Sequence, residues 1–118
     1  MIIFITSQGD SKNSKPNPHF GRTPMFIKYN LEDDTSEPLI NDAASEPGGA
    51  GVAAAQLLID HHAAAVVSGS FGPNAYRSLN AAGIKMFTFN RDYDTVNEVV
   101  EAYKNGALKP VDKPEIRK

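Results

Sequence analysis

Three short loops carry the residue types that could do chemistry in this chain. Their residues are His19, Phe20, Gly21 and Arg22 in the first, Gly49, Ala50 and Gly51 in the second, and Gly69, Ser70, Phe71, Gly72 and Asn74 in the third. A neutral imidazole can ligate a metal, and a guanidinium can neutralise an anion through its planar set of donors. Glycine lets the backbone approach a ligand closely. The three loops together therefore predict a binding site for an anionic or metal-containing ligand.

The second and third loops each precede a predicted helix, which adds a feature that favours anions. The first N–H groups of a helix have no partner within the helix and carry partial positive charge. Neither loop has the Gly-Lys-Ser/Thr sequence of a P-loop or the spacing of a dinucleotide fingerprint. Taken alone, each loop is equally well explained as a tight turn between a strand and a helix.

His19 is the most exposed candidate for chemistry in these loops, and we predict it as a metal ligand. The alternative is that His19 is a solvated loop residue and that Arg22 pairs with a carboxylate. His61 and His62 lie at the predicted end of a helix, where a charged histidine is favourable without any ligand. Neighbouring helix positions point about 100° apart, so this pair is a weaker candidate.

The composition restricts the chemistry further. The chain has 118 residues, enough for one domain, and contains no cysteine. A disulfide framework, a thiolate zinc site, a cysteine nucleophile and thiolate ligation of a cluster are therefore excluded. Residues 31–60 contain seven acidic side chains and no Lys or Arg, within a net charge of −2. No basic footprint for nucleic acid is present along the chain, and we expect none to bind.

Enzymatic and membrane functions have little support in the sequence. A two-metal nuclease needs carboxylates on central strands, but the predicted strands at 2–5, 64–67 and 85–89 contain no Asp or Glu. The apolar runs are too short for a signal peptide or a membrane span. We therefore expect a cytoplasmic, non-enzymatic protein.

The order of predicted elements indicates an α/β fold. Strands at 2–5, 24–30 and 37–40 follow one another without helices and should form an antiparallel meander. Helices alternate with strands after residue 50, as right-handed β-α-β crossovers require. Thr95 and Glu98 form a capping-box pattern, and apolar residues follow it at helical spacing. We expect a mixed sheet of about five strands with about three helices in one domain over 1–108, followed by a flexible charged tail over 109–118.

The same loops carry a resemblance to a known family. Residues 19–26 resemble the "HFGR-x-x-x-F" segment of the dinitrogenase iron–molybdenum cofactor biosynthesis family, and residues 48–58 resemble its glycine-rich helix start. Residues 68–76 and 81–85 are similar to its "G-x-x-G-P-N-A … L-x-A-A-G-I-K" signature. The match covers about residues 1–108.

The resemblance implies a ribonuclease H-like fold and binding of a metal–sulfur cluster or its precursor rather than catalysis. The family includes the orange protein of sulfate-reducing bacteria, which holds a molybdenum–copper sulfide cluster non-covalently. A molybdenum–copper sulfide or an iron- or molybdenum-containing sulfide cluster is thus the implied cofactor, and a protein partner is also expected. The alternative is a regulatory or interaction module that binds a protein partner or a phosphorylated small molecule without a cluster.

Overall fold

The computed structural model describes residues 1–89 and 92–113. Six strands, three α-helices and one 3-10 helix lie in these residues. In chain order they are β1 (Ile2–Ser7), β2 (Met25–Asn30), β3 (Thr35–Ile40), the 3-10 helix (Asp42–Ser45), α1 (Ala50–Asp60), β4 (Ala65–Ser68), α2 (Pro73–Ala81), β5 (Lys85–Thr88), α3 (Val96–Lys104) and β6 (Lys109–Pro110). None of the helices in the described residues is long and apolar enough to cross a membrane.

The strands form one mixed sheet in the order β3-β2-β1-β4-β5-β6. The first three strands pair antiparallel, and β1, β4 and β5 pair parallel. Ile5 lies opposite Ile27 on one side and Val67 on the other, which fixes the register at the centre of the sheet. The predicted antiparallel meander followed by β-α-β crossovers is therefore confirmed.

The sheet has one strand more than the sequence predicts. Phe87 and Thr88 of β5 pair antiparallel with Pro110 and Lys109, and the Val111 N–H donates to the Met86 carbonyl at 2.9 Å. The sheet thus continues into the segment that we expected to be a flexible tail from residue 109. The rest of that tail, residues 114–118, lies outside the described residues, so its flexibility stays a prediction.

Alternation along the strands builds a core on each face of the sheet. One face carries Phe4, Phe26 and Val66, and is covered by α1 and α2. The other carries Ile3, Ile5, Ile27 and Val67, and is covered by α3. Each helix therefore reaches its position because its apolar stripe needs one face of the sheet.

The helix boundaries follow from local sequence. Pro73 stands in the first turn of α2, where its missing N–H is not needed. Thr95 accepts a hydrogen bond from the Glu98 N–H while the Glu98 carboxylate accepts one from the Thr95 N–H, so the predicted capping box begins α3. Gly83 and Gly106 follow α2 and α3 with positive φ angles of 77° and 70°, as the sequence predicts for residues that end helices.

Candidate functional site

A cavity of about 320 Å³ lies where the three predicted loops meet, next to the end of β4 from which the third loop departs. Its walls come from the first loop and from the starts of α1 and α2. The lining residues are His19, Phe20, Gly21, Arg22, Gly49, Ala50, Gly51, Val52, Ser70, Gly72, Pro73, Asn74 and Ala75. Ten of the twelve residues that we predicted for the site line this one cavity.

The two other predicted residues lie elsewhere. Gly69 lines a neighbouring cavity, which also contains His19 and Ser70. Phe71 is 1% exposed and belongs to the hydrophobic core, where its ring centroid lies 5.3 Å from that of Phe20. Phe71 therefore lies in the core behind Phe20, which is itself 2% exposed and is a lining residue of the first cavity.

A short bridge between His19 and Ser70 joins the first loop to the third. The Phe20 N–H donates to the Ser70 carbonyl at 3.2 Å, and the Ser70 hydroxyl donates to the Pro18 carbonyl at 3.1 Å. The same hydroxyl oxygen lies 3.4 Å from Nδ1 of His19. These contacts hold the His19 backbone in place beside Ser70, although the two residues are far apart in sequence.

Two glycines lie where the loops approach one another closely. A Cβ added to Gly69 would lie 2.7 Å from the Pro18 carbonyl oxygen. A Cβ added to Gly21 would lie 3.0 Å from the backbone nitrogen of Gly51. Both neighbours are backbone atoms, which cannot move aside as a flexible side chain could. The glycines thus allow the loops to close around the cavity.

The starts of α1 and α2 both contribute to the cavity without side-chain caps among the described residues. The first bonds within the two helices run from the Ala53 and Tyr76 N–H groups to the Gly49 and Gly72 carbonyls. The N–H groups that precede these bonds have no intrahelical partner. Ala50, Gly51, Asn74 and Ala75 carry such groups and also line the cavity. Two helix dipoles therefore favour negative charge at the same place.

Arg22 lies at the edge of this cavity and is exposed. Its Nη1 donates to the Ala44 carbonyl at 2.9 Å and to the Glu46 carbonyl at 2.6 Å, both at the end of the 3-10 helix. None of the ion pairs found in the described residues involves Arg22. Our alternative interpretation expected Arg22 to pair with a carboxylate. Its partners are instead two backbone carbonyls, which hold the guanidinium without neutralising its charge.

His19 is exposed, and its backbone N–H donates to the Asn17 side-chain oxygen at 2.9 Å. Residues 1–89 and 92–113 contain no group of three His, Asp or Glu side chains that could hold a metal ion. His61 instead packs against Phe4, with ring centroids 6.3 Å apart. A metal at this site would therefore need most of its ligands from its own cluster.

Sequence reasoning missed two buried polar residues that hold the first loop. Thr23 is fully buried, and its hydroxyl oxygen accepts a bond from the Ser7 N–H at 3.1 Å. Asn41 is 3% exposed and donates to the Thr23 carbonyl at 2.8 Å. They lie just outside the paired ends of β2 and β3, so opposed polar residues at those strand ends were the available signal.

These features define a small α/β protein in which two helix N-termini and three glycine-containing loops surround one cavity. The model of the dinitrogenase iron-molybdenum cofactor family matches residues 1–106. The chain therefore belongs to that family, as its three loops predict. No curated protein sequence matches the chain.

Solved structures agree with this assignment. The apo form of the orange protein from Desulfovibrio gigas is similar with a TM-score of 0.91 and 28% identity, over 98% of this chain and 96% of its own. A Thermotoga protein named as a proposed NifB protein of the DUF35 family has a TM-score of 0.84 and 27% identity, over 99% and 97% of the two chains. Both likenesses span the whole fold, including all three loops.

Proposed function

We propose that this protein is a non-enzymatic binding or carrier protein for an anionic metal–sulfur cluster or its precursor, held without covalent bonds. The observation that carries the proposal is the meeting of two uncapped helix starts and Arg22 at one glycine-walled cavity. Family membership supports molybdenum and iron as metals of the cargo, and copper is a further candidate that the resemblance to the orange protein implies.

The donor set of the cavity fits such a cargo. The chain contains no cysteine, so the cluster must bring its own sulfides. Backbone N–H groups of Ala50, Gly51, Asn74 and Ala75 can donate to these sulfides, and the partial charges of the two helix starts favour an anion. His19 lines the same cavity, and its imidazole can act either as a metal ligand or as a hydrogen-bond donor.

Arg22 supplies the full positive charge of this site. Nη1 is held by the Ala44 and Glu46 carbonyls, which leaves the donors on Nη2 and Nε for the cargo. A planar guanidinium can serve both groups at once because its donors are fixed in a fork. A lysine at this position has a single ammonium and cannot reproduce that arrangement.

Reconstitution tests the proposal. The protein is mixed with tetrathiomolybdate and copper, separated from free reagent, and its visible absorption is recorded. We expect charge-transfer bands that stay with the protein. Arg22→Ala should lower the affinity by at least about tenfold, because a charge-assisted bond contributes roughly 1.5–3 kcal/mol. Arg22→Lys should recover only part of that loss.

A matched control is Lys85→Ala, which also removes one positive charge. Lys85 is exposed at the beginning of β5, at the end of the parallel strands opposite the cavity. Its substitution should leave the absorption unchanged. Absence of protein-bound bands in the wild type, or equal loss in Lys85→Ala and Arg22→Ala, contradicts a specific anion site.

The same helix starts also favour a phosphorylated small molecule, since N–H groups at helix N-termini are common phosphate sites. A thermal-shift comparison separates the two functions. Stabilisation by thiomolybdates but not by nucleotides or sugar phosphates supports the cluster carrier. The reverse pattern supports a regulatory module that binds a phosphorylated ligand.

A further inference from the structure

A second cavity of about 580 Å³ adjoins the first. His19 and Ser70 line both cavities, so this pair stands at the border between them. Gln8, Lys15 and Asp92 are among the other residues that line the second cavity. An extended ligand held at the helix starts could therefore continue past His19 into a space that contains a lysine.

The backbone around Lys15 is fixed. The Lys15 carbonyl accepts a bond from the Gln8 N–H at 2.9 Å, and the neighbouring Ser14 carbonyl accepts one from the Val96 N–H at 2.8 Å. The Lys15 side chain is nevertheless about half exposed, at 48%. The fixed loop thus holds Lys15 beside the cavity, while its exposed side chain can still exchange one ion-pair partner for another.

The charged partner of Lys15 is a carboxylate that lines the same cavity, and Nζ also donates to the Tyr93 carbonyl at 3.4 Å. Nζ of Lys15 lies 2.9 Å from Oδ1 of Asp92, and the Asp92 side chain is 86% exposed. An ion pair this exposed contributes little to stability, because water screens it and the side chains lose entropy in forming it. An anion with two or more charges attracts the ammonium more strongly than one carboxylate does, so it can replace Asp92.

We propose that Lys15 is a second cation of the anion site. Asp92 is its ion-pair partner when no ligand is bound, and a bound polyanion replaces Asp92 in that pair. The ligand class is an anion of at least two charges that reaches from the starts of α1 and α2 past His19 and Ser70. Asp92 then acts as a specificity residue, since a monoanion gains too little from Lys15 to displace the carboxylate. This inference rests on the proposed function, because it assumes that the first cavity binds an anion.

Four proteins test it: wild type, Lys15→Gln, Asp92→Asn and the double variant. Each is titrated with tetrathiomolybdate in the presence of copper, and the apparent Kd is read from visible absorption at low salt. We expect Lys15→Gln to weaken binding and Asp92→Asn to tighten it, each by about two- to fivefold, the range for an exposed charge pair. In the Lys15→Gln background, Asp92→Asn should have no further effect.

The control for overall charge is Glu37→Gln on β3, at the far edge of the sheet. If Asp92→Asn tightens binding equally with and without Lys15, or no more than Glu37→Gln does, competition for Lys15 is overturned. Binding by the wild type that depends on Arg22 but not on Lys15 or Asp92 overturns this inference and leaves the proposed function standing. Failure of the wild type to bind the probe overturns both.

Discussion

The starts of α1 and α2 differ from the start of α3 in what satisfies their N–H groups. At α3, Thr95 and Glu98 form a capping box, and the Lys12 and Ser14 carbonyls accept bonds from the Asn97 and Val96 N–H groups. At α1 and α2, the residues before the helix are Gly49 and Gly72, which have no side chain to donate or accept. In the described residues, the protein itself thus provides acceptors for the first N–H groups of α3, whereas no side chain caps α1 or α2. We call the starts of α1 and α2 the open helix starts.

Under the proposed function, this difference separates a helix start that only stabilises the fold from two that bind the ligand. At the start of α3 each of the first N–H groups already has an acceptor within the protein, so no donor is left there for an anion. Where glycine replaces the usual Ser, Thr, Asp or Asn at the N-cap, the N–H groups are free for a ligand. The two open helix starts belong to helices on the same face of the sheet, which is why they can share one cavity.

The largest effect should come from a substitution that places an additional atom between the first and third loops. Gly69→Ala places a Cβ 2.7 Å from the Pro18 carbonyl oxygen, so the first and third loops must move apart. We expect a loss of about 1–3 kcal/mol in the free energy of unfolding, as for overpacked sites, and weaker ligand binding. Urea unfolding measures the first effect and the thiomolybdate titration the second.

Gly48→Ala is the matched control for that substitution. Nothing lies within 4 Å of a Cβ added at Gly48, and its φ angle is not positive. Its urea midpoint should stay close to that of the wild type. Equal midpoints for Gly69→Ala and Gly48→Ala would show that the contact with Pro18 relaxes without cost.

The next largest effect is expected at the start of α3, where the capping box provides the acceptors. Thr95→Ala removes the hydroxyl that accepts the Glu98 N–H, at 3.2 Å, and should cost about 1 kcal/mol of stability. Affinity for thiomolybdate should not change, because α3 begins away from the first cavity. Thr95→Ser keeps the hydroxyl and should restore most of the stability. A large loss of affinity in Thr95→Ala would show that the two kinds of helix start are coupled.

A smaller change in stability, but a clear change in binding, is expected when an open helix start is closed. Gly72 has φ −45° and ψ 163°, and nothing lies within 4 Å of an added Cβ. Gly72→Asp can therefore cap α2 and should raise stability by a few tenths of a kcal/mol. Its carboxylate takes the place of the anion, so we expect about a fivefold loss of affinity, equivalent to roughly 1 kcal/mol.

Gly72→Ser separates the cap from the charge. Serine can accept the same N–H groups without adding a negative charge, so its loss of affinity should be smaller than that of Gly72→Asp. Unchanged affinity in both variants would mean that the N–H groups of α2 do not contact the ligand. Calorimetric titration and thermal unfolding of the same samples provide both measurements.

Sequence reasoning was most successful where the signal is local. The capping box, the glycines that end α2 and α3 and the meander all depend on neighbouring residues or simple periodicity. The sixth strand was missed because Lys109 and Pro110 are only two residues, and one of them lacks an N–H. The bonds of Arg22 to the Ala44 and Glu46 carbonyls join loops that are distant in sequence, and no spacing rule encodes these contacts.

The smallest effect is expected at the other end of α3, where Lys104 pairs with Asp34. Asp34 accepts bonds from Nζ of Lys104 at 2.6 Å and from the Tyr29 hydroxyl at 2.9 Å. The Lys104 bond, followed by the Tyr29 bond, holds the pKa of Asp34 below its ordinary value of 3.8, and the Asp34 bond raises the pKa of Lys104 above 10.5. The contribution of Asp34 to stability is therefore complete above its ordinary pKa and is lost as the pH falls through the lower, folded-state pKa.

Asp34→Asn should accordingly lower the urea midpoint at pH 7 by less than Thr95→Ala does, since both charged groups are exposed. The difference from the wild type should shrink as the pH falls below 3.8, because protonation removes the charge that the substitution removes. The exposed Asp10→Asn provides the control for net charge. A difference that stays constant down to pH 2 would mean that the Asp34 carboxylate acts through shape rather than charge. In that case Lys104 would close the end of α3 by packing over the Tyr29 ring, 5.5 Å from its centroid, and not through its ion pair.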